Sequence, residues 1–167
     1  MRYERFEGIS KVLIRIRIII VRCRWKRKNV IPKLLMNASA GIISLLGLVH
    51  LVLTIWGPKH LPRDSSLVDA MANTAPVITT QTTIWKMWLG FNASHSMGLL
   101  FFGLTYNYLA LAHSEVLFQS LFLQAIGFGM LGGYVVLAKL YWFIGPLAAA
   151  SLSLILYLGS IAVAWAT

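Results

Sequence analysis

Four stretches of predominantly apolar residues recur along the chain, at about 34–56, 84–112, 116–138 and 146–166. Each supplies the roughly 20 residues needed to cross a hydrocarbon core of ~30 Å as a helix. The first closes at Trp56-Gly57-Pro58, an interfacial aromatic followed by two breakers. A polar segment, 57–83, rich in Ser, Thr and Pro, joins it to the second, and within it Asp64-Ser65-Ser66 predicts the cap of a short helix reaching Met71. The second stretch opens on the aromatic belt Trp85-Lys86-Met87-Trp88, and His113-Ser114-Glu115 predicts a tight turn into the third. Lys139, Tyr141 and Trp142 mark an interface again, and Gly145-Pro146 restarts a helix.

Projection at about 100° per residue gives the second stretch one polar face: Asn92, His95, Ser96, Leu99, Gly103, Tyr106, Asn107, Ala110 and His113. Leu100, Phe101, Leu104 and Leu109 lie opposite. Unpaired polar groups are costly in hydrocarbon, so this face should turn into a bundle. Smaller versions occur at Ala40, Ser44, Gly47, His50 and Thr54, and at Ser153, Tyr157, Ser160 and Ala164. The third stretch contains Gly127-x-Gly129-x-x-Gly132, but no strand precedes it and a dinucleotide site is excluded by context. Ala125, Gly129 and Gly133 recur every fourth residue, the small-residue spacing of closely packed membrane helices.

Composition agrees with this pattern. Hydrophobic residues make up 58% of the 167 and charged ones 12%, where a soluble domain carries roughly 25%. The net charge of +10 resides in the N-terminal part: eleven of the fifteen Lys and Arg lie between Arg2 and Lys33, beside Glu4 and Glu7. That placement fits the positive-inside rule and an interfacial amphipathic segment over residues 1–33, in contact with anionic lipids, better than a nucleic-acid partner. A natural start at Met36 is the alternative for this stretch. Cys23 is the single cysteine, so no intrachain disulfide can form.

The expected fold is therefore an all-α membrane protein, a four-transmembrane-helix bundle (34–167) preceded by a basic interfacial N-terminal segment (1–33). Both termini are expected on the cytoplasmic side of the membrane. Its partners are the lipid bilayer and, on the same grounds, other membrane subunits or a homo-oligomer.

Candidate chemistry is sparse. No Asp or Glu falls within a predicted span, which removes paired-carboxylate catalysis, and no Ser-His-acid set is evident. His60, Asp64 and Asp69 in the loop make a poor metal set, so no metal site is expected. His50 lies six residues, about 9 Å, below Trp56, and His95 seven residues, about 10 Å, below Trp88. The two imidazoles thus share a depth. A ligand-binding or bundle-stabilising polar network of His50, Asn92, His95, Ser96 and Tyr106 is the leading reading, with haem b ligated by His50 and His95 as the alternative.

The run Trp88-Leu89-Gly90-Phe91-Asn92-Ala93-Ser94-His95-Ser96-Met97-Gly98, with Gly47-Leu48-Val49-His50, resembles a family of small bacterial four-helix membrane proteins known only as uncharacterised, including examples from Leptospira. The resemblance covers about Met36 to Thr167. It implies a four-helix membrane fold, places His50, Asn92 and His95 in the family pattern, and implies no activity. The leading functional expectation is a non-enzymatic binding or accessory-subunit role.

Overall fold

The computed structural model describes residues 30–57 and 60–166; residues 1–29, which hold Cys23 and most of the basic segment expected to meet anionic lipids, lie outside the described residues. Six helices and no strand occur among the described residues.

The first helix, α1 (Val30–Ile55), contains Pro32 and Lys33, so the helical unit extends beyond the boundary expected at residue 34. Pro32 is buried, and its carbonyl accepts a bond from the Ser160 hydroxyl at 2.7 Å. The chain then turns at Trp56 and Gly57, whose N–H groups bond Val52 and Leu53 carbonyls. Helix α2 (Ser65–Asn73) is capped by Asp64, whose Oδ1 accepts from the Ser66 N–H at 2.9 Å and the Ser66 hydroxyl at 2.8 Å. These bonds favour the carboxylate and hold Asp64 below its ordinary value. With a depressed folded value, the cap contributes above the ordinary carboxylate range and is lost as pH falls through the lowered value. Hydrogen exchange should accordingly show the Ser66 amide losing protection in strong acid while mid-α1 amides keep theirs.

Helix α3 (Ile84–Ala112) opens on the Thr83 cap and ends at His113, coinciding with the expected stretch 84–112. The third stretch differs from expectation. A short helix α4 (Ser114–Gln119) stops at Ser120, and α5 (Leu121–Tyr141) restarts there, instead of one helix running from Val116. Ser120 is non-helical, its hydroxyl accepts from Leu123 N–H at 3.3 Å, and the Gln124 amide bonds the Phe118 carbonyl at 2.8 Å. Side chains thus satisfy backbone groups released by the break. Helix α6 (Ile144–Ala166) completes the chain, with Pro146 in its first turn.

Helix α1 packs along α3 on one side and α6 on the other, and α5 packs on α6. Small side chains permit both α1 contacts. A Cβ on Gly47 would come 2.7 Å from Leu99 Cβ and 3.0 Å from the Ser96 carbonyl, and one on Gly103 would strike the Ser44 hydroxyl. Toward α6, Ser39 and Ser153 form a reciprocal buried clasp: each hydroxyl bonds the other's carbonyl, at 2.7 and 3.0 Å. Ser153→Ala removes one of those bonds and leaves the other, so its expected cost is about 0.6 kcal/mol, the average for interhelical bonds in membranes. Thermal unfolding in detergent measures it.

The packed interior contains Met36, Ile43, Leu99, Leu117, Leu131 and Tyr157. The outer surface is largely apolar, with Phe101 76% exposed and Phe122 72%. Water would not favour such a continuous apolar surface. Three helices, α1, α5 and α6, are long and apolar enough to cross a membrane. Helix α3 is not among them, because Asn92, Ser94, His95, Ser96 and Asn107 dilute its apolar content.

Candidate functional site

Close approach of α1 and α3 at Gly47 brings His50 and His95 together one turn further toward the loop. Their rings meet edge to face with centroids 5.6 Å apart. His60, just beyond the end of α1, folds back onto His50 at 4.7 Å, and its Nδ1 lies 3.3 Å from the Thr54 hydroxyl. On its other side His95 contacts Trp142 at 5.1 Å and Tyr134 at 5.6 Å. The result is a chain of rings, His60–His50–His95–Trp142/Tyr134, across the loop end of the bundle. Asn92 lies within hydrogen-bonding reach of His50, while its amide also bonds the Trp88 carbonyl at 2.8 Å.

His60 belongs to this cluster, not to a loop set with Asp64 and Asp69. Asp64 is engaged as the α2 cap and Asp69 is exposed. The signal in the sequence was the turn at Gly57, which leaves His60 too few residues to travel far from the end of α1.

The five polar residues expected to form one network occupy two places. Ser96, fully buried, bonds the Asn92 carbonyl of its own helix and presents its small side to α1. Tyr106 lies eleven residues beyond His95, about 16 Å along the helix. There its hydroxyl donates to the Leu123 carbonyl at 2.6 Å, and the Gly127 N–H reaches the same oxygen. These backbone groups are an i, i+4 pair, so the phenol sits against one rung of α5. Tyr157 donates to the Gln124 carbonyl at 2.7 Å, and Trp165 to the Gln124 side chain at 3.3 Å. This second cluster braces the α4–α5 break.

The stripe Ala125, Gly129, Gly133 faces outward. All three are exposed, and nothing lies within 4 Å of a Cβ built on either glycine. Within the chain the close approach on α5 is made by Gly127, where a Cβ would meet the Tyr157 hydroxyl.

A haem between His50 and His95 does not fit this packing. Axial ligation from both sides requires the macrocycle to lie between the two rings. Those rings are in contact, and the close approach of α1 and α3 at Gly47, Ser96 and Leu99 holds the two helices too near to admit a macrocycle between them. Nor are three His, Cys, Asp or Glu side chains placed to hold a metal ion among the described residues.

Fold and site together define an all-helical protein with three segments able to cross a membrane and an imidazole–aromatic cluster at one end of its bundle. No family model, curated protein or solved structure matches the chain.

Proposed function

We propose that the chain is a four-span protein of a bacterial cytoplasmic membrane, with both termini cytoplasmic, and that it has a non-enzymatic binding or accessory-subunit role exercised at the imidazole cluster. Two features support α3 as the fourth span. Its buried residues, Ser96, Leu99, Gly103, Tyr106 and Ala110, lie on the face closed by neighbouring helices. Its opposite face exposes Phe91, Phe101, Leu104 and Leu111, which hydrocarbon would cover. The basic run Arg2–Lys33 supports a cytoplasmic N-terminus.

The binding role rests on His95. It is half-buried among rings and, among the described residues, bonds nothing through its nitrogens. Among the described residues no carboxylate joins it, and the imidazoles offer recognition through their own donor and acceptor nitrogens. A ligand or partner subunit offering a hydrogen-bonding group beside an apolar surface suits it.

Native mass spectrometry of the full chain extracted in mild detergent, as wild type and His95→Asn, tests this reading. The expected result is a retained small molecule or second polypeptide in the wild type, lost in a variant whose helicity and elution are unchanged. Identical, empty spectra for both would contradict it.

A further inference from the structure

We propose that the His60–His50–His95 contact is a pH-sensitive clasp, which holds His60 and the residues that follow it against the bundle while the rings are neutral and releases them on acidification. The setting outside the cell rests on the topology proposed above, whereas the pH response itself does not.

Three imidazoles from separate places in the chain meet here: His50 on α1, His60 beyond its turn, and His95 on α3. His50 is central, with centroid distances of 4.7 Å to His60 and 5.6 Å to His95. The groups packed on these rings are Thr54 from α1, Asn92 from α3, Tyr134 from α5, and Trp142 beyond its end. None of those four is a carboxylate or a permanent cation. Arg63, Asp64, Asp69, Lys86 and Lys139, the charged side chains of the described residues at this end, are all exposed.

Neutral imidazoles tolerate such contact, since each offers a donor, an acceptor and an apolar ring edge. Imidazolium does not. Two neighbouring cations at this spacing repel, and the half-buried setting lacks a counter-charge. Imidazole is the side chain whose charge changes nearest to neutral pH, so the contact weakens as pH falls. Helices α1 and α3 are locked together at Gly47 and Gly103. His60 lies outside the long helices and, among the described residues, is held by its ring contact with His50 and its hydrogen bond to Thr54. Repulsion within the cluster is therefore relieved most cheaply by displacing His60 and the segment that follows it.

The test is a spin-label distance measurement on the full chain in nanodiscs, in EDTA, with Cys23→Ser and labels at Arg63→Cys and Lys139→Cys. At pH 8 the account expects a narrow distribution, and at pH 5 a longer or broader one that returns on neutralisation. His50→Gln removes the central charge and should abolish the response, with the distribution at pH 5 remaining as at pH 8. A separate His60→Gln variant keeps the test independent of one substitution, and its distribution should likewise be insensitive to pH. Superimposable wild-type distributions at the two pH values would overturn the clasp. So would a shift that persists in both variants, each shown to be helical and monodisperse.

Discussion

Gly103→Leu is expected to destabilise the bundle by about 3 kcal/mol or more, the upper end of the range for overpacking, whereas Gly133→Leu is expected to leave its melting temperature unchanged. A Cβ on Gly103 would lie on the Ser44 hydroxyl, 2.7 Å from the Ala40 carbonyl and 3.0 Å from the Ser44 N–H. Two of those three obstacles are backbone, so no rotamer change relieves them. The helices must separate, and the imidazole contact beyond Gly47 separates with them. Around Gly133 there is open space. Thermal unfolding in detergent distinguishes the two. Equal melting of Gly103→Leu and wild type would mean that α1 and α3 do not approach at that point.

Tyr106→Ala carries the second large expected effect, about 3–5 kcal/mol, as for other buried aromatic truncations. The ring is 4% exposed, packs on Phe102 at 4.4 Å and meets Tyr157 at 6.2 Å. Its loss leaves a cavity and withdraws the hydroxyl from the Leu123 carbonyl. Tyr106→Phe separates these contributions. It keeps the packing, and it should cost no more than about 1.7 kcal/mol, the largest value found for single interhelical bonds in a membrane bundle. If the two variants melt alike, the ring contributes nothing beyond its hydroxyl and the proposed packing around the α4–α5 break is wrong.

Where the sequence was informative, a local rule coincided with the tertiary outcome. Thr83 and the turn at His113 delimit α3, and Asp64 caps α2, because capping depends only on neighbouring residues. The faces of α1, α3 and α6 were legible because small and polar residues cluster on them at helical spacing. Depth counting from Trp56 and Trp88 placed His50 and His95 at one level, and the structure puts their rings in contact. That reading could not supply the separation of the helices, and it is their close packing that excludes a macrocycle between the rings.

The remainder depends on contacts distant in sequence. The one local mark of the break is Ser120, an N-cap residue with neither Gly nor Pro beside it, and the break is sustained by Gln124, Tyr106 and Tyr157. Periodicity picks out Ala125, Gly129 and Gly133 as one face of α5 without saying which way it looks. Gly127, two residues away, is the residue that Tyr157 requires. The outward stripe is compatible with the homo-oligomer expected from the sequence. His60 escaped because depth counting stops at the end of a helix, and the chain turns back just past it.

The central claim is that α3 crosses the membrane, which places the imidazole cluster and the 57–83 segment on the outer face. Labelling of intact cells with a membrane-impermeant maleimide tests it most directly, using Ser66→Cys and Glu115→Cys separately in a Cys23→Ser background. Both positions are exposed, one in α2 before α3 and the other in α4 after it. The account predicts that Ser66→Cys is labelled in intact cells and Glu115→Cys only after permeabilisation. Labelling of both positions in intact cells, or of neither, would put the two ends of α3 on one side and contradict the four-span bundle.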